Sequence, residues 1–209
     1  MTAQDRTSGR VSVLPLTPSR WPHLVELFEH QGPRGGSRNA PAYGCWCMYW
    51  RDRSLEHGEP KKRALEKLVR ARRETGLLAY DGGEPVGWVS IAPREEYPVL
   101  LQSPQYRPRD DEEDVWAIVC FVVDTEARGR GVSGALLEAA VEHACRRGAT
   151  SVEAYAHNTK RDDYMGGVEL YRAHGFDVVR AANKRTIVSR RCPPTSGEPQ
   201  RITRTTFSC

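Results

Sequence analysis

Val122-Val123-Asp124-Thr125-Glu126-Ala127-Arg128-Gly129-Arg130-Gly131-Val132-Ser133-Gly134-Ala135-Leu136-Leu137 is the stretch that decides the fold. The residues leading into it, Val115 to Val123, are almost continuously apolar, the pattern of a strand buried on both faces. Those leading out predict a helix from Val132 to about Arg147. Ala135, Leu136, Ala139, Ala140 and Ala144 recur there at helical spacing and are small enough to lie close on a sheet. Gly148 stands where a C′ glycine ends a helix. Between strand and helix is a glycine-rich turn. Backbone N–H groups converge in such a turn, and the helix dipole adds partial positive charge, which suits a pyrophosphate. Gly129 and Gly131 let the backbone approach an anion with no Cβ in the way. Arg128 and Arg130 add positive charge. The turn is read as neither a P-loop, since it has no Gly-Lys-Ser/Thr, nor a dinucleotide fingerprint.

Outward from this unit the elements alternate. Towards the N-terminus, Leu77–Tyr80 and Val86–Ile91 read as strands joined by Asp81-Gly82-Gly83-Glu84, a strong hairpin signal. Pro60 opens a helix carrying Ala64, Leu65, Leu68 and Val69. An earlier helix carries Leu24, Leu27 and Phe28, with Ser19 as its expected cap. Val11, Val13 and Leu16 suggest a first short strand. Residues 31–44 are loop by composition. Residues 93–114 are proline-rich and end in an acidic run. Towards the C-terminus, Ser151–Ala156 is a strand and Val168–His174 a short helix closed by Gly175. Phe176–Arg180 and Arg185–Val188 are the last strands. The order is β, α, α, hairpin, β, α, β, α, β, β. It predicts an α/β fold with a mixed central sheet flanked by helices around a β-α-β core. A single domain is expected over residues 11–190, with a disordered start at 1–10 and a flexible tail at 191–209.

The bulk properties exclude other classes. With 209 residues, 39% hydrophobic and 28% charged, the chain is long and apolar enough for one core. A net charge of +4 is mild and no element concentrates it, so no nucleic-acid partner is expected. No apolar run approaches a membrane span and the first residues are polar, so no membrane association is expected and a cytoplasmic location is the default. All six cysteines are then expected to be reduced thiols.

Arg128-x-x-Gly131-x-Ser133, following a strand that ends Val122-Val123, resembles the acetyl-CoA motif of the GNAT superfamily of N-acetyltransferases. Ser133 departs from the usual Gly or Ala but remains small. Leu170-Tyr171-Arg172-Ala173-His174-Gly175-Phe176 resembles the family's second segment, in which a tyrosine lies near the acyl sulfur and Gly-Phe opens a strand. The likeness covers about residues 11–190. A further departure is Lys160-Arg161-Asp162-Asp163-Tyr164-Met165, inserted between Asn158 and Tyr171.

The resemblance implies acetyl-CoA as donor, with no metal. It implies that the amides of Gly129, Arg130, Gly131, Val132, Ser133 and Gly134, with Arg128, hold the pyrophosphate. Phe121, Val122 and Val123 would pair with the pantetheine arm, one amide there stabilising the oxyanion. Tyr171 would act as general acid. The family's frequent glutamate on the central strand is absent, so the base is open among Glu112, Glu113, His157, Asp162, Asp163 and a water chain.

In the family the acceptor binds beside the loop between the first two helices. Here that loop carries Tyr43, Trp46, Tyr49 and Trp50. They form either an aromatic wall for an amine, through apolar and cation–π contact, or a segment packed on the core. Cys45-x-Cys47 lacks a second pair for a structural zinc. The acidic run Asp110–Asp114 could draw a cationic acceptor or simply be a solvated loop. The expected activity is transfer of acetyl to a primary amine of a small molecule, by a monomer or homodimer. Protein or peptide acetylation and non-catalytic acyl-CoA sensing are the alternatives.

Overall fold

The computed structural model describes residues 11–30, 44–106, 112–158, 164–181 and 185–194. Seven strands form one sheet in the order β1-β2-β3-β4-β5-β7-β6. They are β1 (Ser12–Pro15), β2 (Leu77–Asp81), β3 (Glu84–Pro93), β4 (Val115–Val123), β5 (Ser151–His157), β6 (Asp177–Ala181) and β7 (Arg185–Arg191). Every neighbouring pair is antiparallel except β4 and β5. The helices are α1 (Trp21–Glu29), α2 (Glu59–Arg70), the short α3 (Pro98–Gln102), α4 (Val132–Arg146) and the short α5 (Val168–Ala173). The expected β-α-β core is β4-α4-β5, a parallel pair joined by its crossover helix.

Both faces of the sheet are covered, which accounts for the unbroken apolar run in β4. On one face Leu136, Leu137, Ala140 and Ala144 of α4 pack against Leu77, Val89, Ile118 and Val152. On the other, Leu24, Leu27 and Phe28 of α1 and Leu65 and Val69 of α2 pack against Leu78, Trp88 and Val122. Gly87 permits the close fit of α4 on β3. A Cβ there would lie 2.8 Å from Val132 Cγ1 and 3.0 Å from Leu136 Cδ1. Ser19 does not cap α1. It lies in the 3-10 turn Pro18–Arg20 ahead of the helix, and α1 begins after Arg20 without a side-chain cap. Gly148 takes up the left-handed conformation expected of it, with φ 89°.

The reading of six reduced thiols is corrected for one pair. Cys145 near the end of α4 is disulfide-bonded to Cys192 just past β7. The two are far apart in sequence, and only the packing of α4 on the sheet brings their Cα atoms to 5.4 Å. Residues 1–10 and 195–209, and most of the loop expected over 31–44, lie outside the described residues.

The feature that positions the site is where β4 and β5 stop pairing. Their ladder runs only from Val115–Ser151 to Ile118–Ala154. The β3–β4 register shifts at the same level, between Ser90 and Ile91. A bulge of this kind bends a strand away from its neighbour. Beyond it β4 and β5 splay apart, and the chain after β5 folds back into the gap. The Phe121 N–H donates to the Tyr164 carbonyl, and the His157 N–H donates to the Gly166 carbonyl at 3.0 Å.

Candidate active site

A cleft of about 790 Å³ opens where β4 runs into α4. The turn forms one wall. Asp124 starts it, accepting at 2.9 Å from the Glu126 N–H to cap the 3-10 turn Thr125–Ala127. Gly129 (φ 77°) and Gly131 (φ 79°) then take left-handed conformations, and Gly131 is the N-cap of α4. No side chain caps that end, so the first amides of α4 depend on a ligand or water. Backbone N–H groups gathered at a helix N-terminus make a cradle whose geometry suits an anion.

Arg128, Gly129, Gly131, Val132, Ser133 and Gly134 line the cleft, with Phe121 and Val123 from β4. Two of the expected residues stand elsewhere. Val122 is buried with α1 and α2 on the opposite face, because strand side chains alternate. Arg130 turns away. Its guanidinium bonds Asp81 Oδ2 and the Glu126 carbonyl, both at 3.0 Å, and so ties the turn to the β2–β3 hairpin. The spacing Gly129-x-Gly131-x-x-Gly134 does match G-x-G-x-x-G. What separates this turn from a dinucleotide fold is the sheet, in which β4 has an antiparallel neighbour on one side.

The opposite wall was not foreseen. It comprises Tyr164, Gly166, Gly167, Leu170 and His174, with Glu138 at the α4 side. His174 packs on Gly134, where a Cβ would lie 2.8 Å from its Nε2. Tyr164 belongs to the inserted stretch, and only the fold shows that it plugs the splay. Of the amides of Phe121 to Val123, one of which was expected at the oxyanion, that of Phe121 donates to the Tyr164 carbonyl.

Tyr171 on α5 is fully buried, and its hydroxyl donates to the Met165 carbonyl at 2.7 Å. A Cβ on Gly166 would lie 3.6 Å from that hydroxyl, so the phenol sits directly behind the cleft wall. Burial pushes its pKa far above the ordinary tyrosine value, with the charge of Cys120 adding and that of Arg185 opposing. It stays protonated, as a proton donor must.

A second cavity of about 270 Å³ lies on the other side of β4. It is lined by Tyr49, Trp50 and Tyr106, by Cys45, Cys47 and Cys120, and by Val119, Tyr164, Met165 and Arg185. The rings form an edge-to-face chain. The Tyr49 and Trp50 centroids are 4.9 Å apart, and those of Trp50 and Tyr106 are 5.3 Å apart. Tyr164 lines both spaces, so the donor cleft and this cavity meet at one residue.

Of the three aromatic residues expected to bind acceptor, Tyr49 and Trp50 reach this cavity and Trp46 does not. Trp46 is fully buried against Phe28 and Trp21. Trp46 and Cys47 both adopt positive φ, 48° and 50°. Trp46 packs into the core beside this kink, whereas Tyr49 is exposed and Trp50, itself buried, packs in the cluster that borders the second cavity.

The expected bases fare differently. Glu112 and Glu113 precede β4 at its far end, about 20 Å or more from Phe121 along the strand. Glu112 there is ion-paired with Arg191 at 3.5 Å. His157 lines neither cavity. Asp110, Asp162 and Asp163 lie outside the described residues. Asn158 accepts a hydrogen bond from Thr186 of β7. Among the described residues no group of three or more His, Cys, Asp or Glu could hold a metal ion. No helix among them is long and apolar enough to cross a membrane.

The splayed parallel pair, the glycine cradle and the tyrosine behind the cleft define an acyl-CoA-dependent transferase fold. Residues 42–176 match the model of the acetyltransferase (GNAT) family, and the chain belongs to that family. It is therefore a transferase of acetyl groups that uses acetyl-CoA.

Solved structures share the fold. The GNAT domain of a PAT from S. lividans superposes with TM-score 0.54 at 18% identity, covering 90% of this chain and 99% of that one. A GCN5-related N-acetyltransferase from Kribbella flavida gives 0.52 at 18% identity, covering 87% and 97%. The PaiA N-acetyltransferase from Thermoplasma acidophilum, in complex with coenzyme A, gives 0.51 at 14% identity, covering 87% and 99%. Among curated proteins, none matches the chain.

Proposed function

We propose that the chain is an N-acetyltransferase that moves acetyl from acetyl-CoA to the amine of a small molecule by direct attack on the thioester. The observation that carries this reading is the pair of cavities meeting at Tyr164. One is long and ends in an anion cradle, and the other is small and aromatic. An acceptor space of about 270 Å³ takes a compact molecule rather than a folded protein surface.

In this reading the amides of Gly129 to Gly134, with Arg128, hold the diphosphate. Phe121 and Val123 flank the pantetheine arm. The acetyl oxygen takes the place of the Tyr164 carbonyl at the Phe121 N–H. That exchanges one acceptor for another at the same donor, at little net cost. Tyr171 gives its proton towards the departing sulfur as negative charge develops there. The Arg185 charge, which already favours the phenolate, helps carry that loss.

The test is thiol release from acetyl-CoA in the presence of panels of small amines and of peptides. The reading requires amine-dependent release with a small molecule and formation of an N-acetyl product by mass spectrometry. Turnover of peptides alone would transfer the activity to a protein substrate.

A further inference from the structure

The two walls of the donor cleft belong to different elements, and one side chain of β7 ties them together. Glu138 stands on the α4 wall, and His174 on the wall that carries α5. Arg190 reaches both. Its Nη1 donates to Glu138 Oε1 and Oε2, each at 3.0 Å, and to the His174 carbonyl at 2.9 Å. The two hydrogens of that nitrogen serve these two groups, one shared across the carboxylate and one on the carbonyl. His174 also packs its ring on Gly134, one helical turn before Glu138 on α4. The same residue therefore meets α4 twice, through its ring at Gly134 and through its carbonyl at the Arg190–Glu138 pair.

A second rung lies alongside. Cys145 is seven residues beyond Glu138, two turns along the same face of α4, and Cys192 is two residues beyond Arg190. Val188 of β7 packs in the core with Ala140 and Ala144 of α4. The Cys192 N–H donates to the Thr150 carbonyl at 2.9 Å, so strand pairing continues to that residue, and positions 190 and 192 share the side of Val188. Glu138–Arg190 and Cys145–Cys192 are therefore two rungs between one helix and one stretch of chain, the first ionic and the second covalent. The ionic rung is exposed to solvent, at 32% for Arg190 and 50% for Glu138. A pair so exposed is weak alone, because water screens it and two long side chains must be ordered. The disulfide supplies that order. It fixes the end of β7 against α4 and leaves Arg190 little freedom to drift from Glu138.

We propose that Arg190 is a positioning residue for acetyl-CoA, on the reading that this cleft is the donor site: it sets the spacing of the two walls, and the Cys145–Cys192 disulfide holds it in register. Donor affinity then depends on the oxidation state of this pair. A dithiol reductant opens the bond by giving up two electrons and two protons. The S–S bond breaks, Cys145 and Cys192 become thiols, and the reductant closes to its own disulfide. The walls then keep only the screened ionic rung, and the preformed cleft loosens. The effect falls on binding, because the clamp organises the cleft before the ligand arrives.

The experiment is calorimetric titration with acetyl-CoA of the wild type, Arg190→Gln and Arg190→Lys, each before and after reduction. The reductant is a phosphine, which does not exchange with the thioester as a thiol would. It takes up an oxygen atom from water while the two sulfurs gain the protons. Alkylation and mass spectrometry confirm that the bond is open, and circular dichroism melting confirms the fold. Arg190→Gln is expected to bind about three- to tenfold more weakly than the oxidised wild type. Arg190→Lys should fall in between, because an ammonium keeps the charge but not the guanidinium's geometry. Reduction should weaken the wild type by a similar factor and Arg190→Gln little further, since both changes act through one clamp. A folded Arg190→Gln that binds as tightly as the wild type would overturn the proposal. So would an equal loss on reduction in wild type and variant, which would separate the disulfide from the clamp. If Arg190→Gln does not fold, Glu138→Gln removes the same rung from the helix side and carries the same expectation. A folded, oxidised wild type that binds no acetyl-CoA would overturn the donor-site reading itself, and the clamp with it.

Discussion

Replacing Tyr171 with Phe removes one oxygen atom from a fully buried site and nothing else. That oxygen donates at 2.7 Å to the Met165 carbonyl, a bond lost in the variant. A buried group left without its hydrogen bond costs about 1–3 kcal/mol. For a chain of this length, that lowers Tm by about 2–4 °C per kcal/mol. The ring still packs against Phe121 and Phe176, at centroid distances of 6.3 and 5.3 Å, so the fold survives. The catalytic loss is larger. Without a proton donor at sulfur, kcat should fall by about 10²–10³, or about 3–4 kcal/mol of barrier. Acetyl-CoA affinity should change little, because the cradle is at the other end of the cleft. The assay is thiol release under saturating donor and acceptor, with circular dichroism melting as the fold control. A folded variant that retains more than about a third of wild-type kcat would refute the acid role, and Tyr171 would then be a packing residue.

Trp46→Ala should destabilise the protein by about 3–5 kcal/mol in urea melts, as expected for a fully buried tryptophan. Tyr49→Ala, at an exposed position on the acceptor cavity, should instead leave stability nearly unchanged and raise the acceptor KM. Arg128→Ala should weaken acetyl-CoA binding about tenfold, with a reduced salt dependence, whereas Arg130→Ala should affect it little because that guanidinium holds Asp81. Glu74 is held below the usual carboxylate pKa, chiefly by its hydrogen bond with His143, against the opposing effect of burial. Its contribution is therefore present above the unfolded carboxylate value of about 4.3 and is lost as pH falls through the depressed folded value. Glu74→Gln should cost about 1–2 kcal/mol near pH 7 in denaturant melts, and the difference from wild type should vanish in acid.

Most of the fold was legible because its elements follow local rules. The apolar run Val115–Val123, the alanine-rich face of α4 and the Asp81–Glu84 turn each specify their own conformation. The glycines of the cradle were legible for the same reason, since Gly129 and Gly131 do take up positive φ. What escaped depends on long-range contacts. Arg130 and Arg128 look alike in sequence, and only the position of Asp81 separates their roles. Trp46 and Trp50 share one short segment, yet Trp46 packs into the core and Trp50 into the cluster that borders the second cavity. Tyr164 reads as part of an insertion until the splay between β4 and β5 gives it a gap to fill. Cys145 and Cys192 carry no sign of partnership in their local sequence.

Calorimetric titration of the purified protein with acetyl-CoA shows whether the β4–α4 turn is an acetyl-CoA site. The control is Gly131→Glu, which puts a carboxylate into the anion cradle, with its fold checked by circular dichroism. The expected result is one-to-one binding by the wild type and none by the folded variant. A folded wild type that gives no binding heat, or a variant that binds as well as the wild type, would mean that the turn does not hold acetyl-CoA.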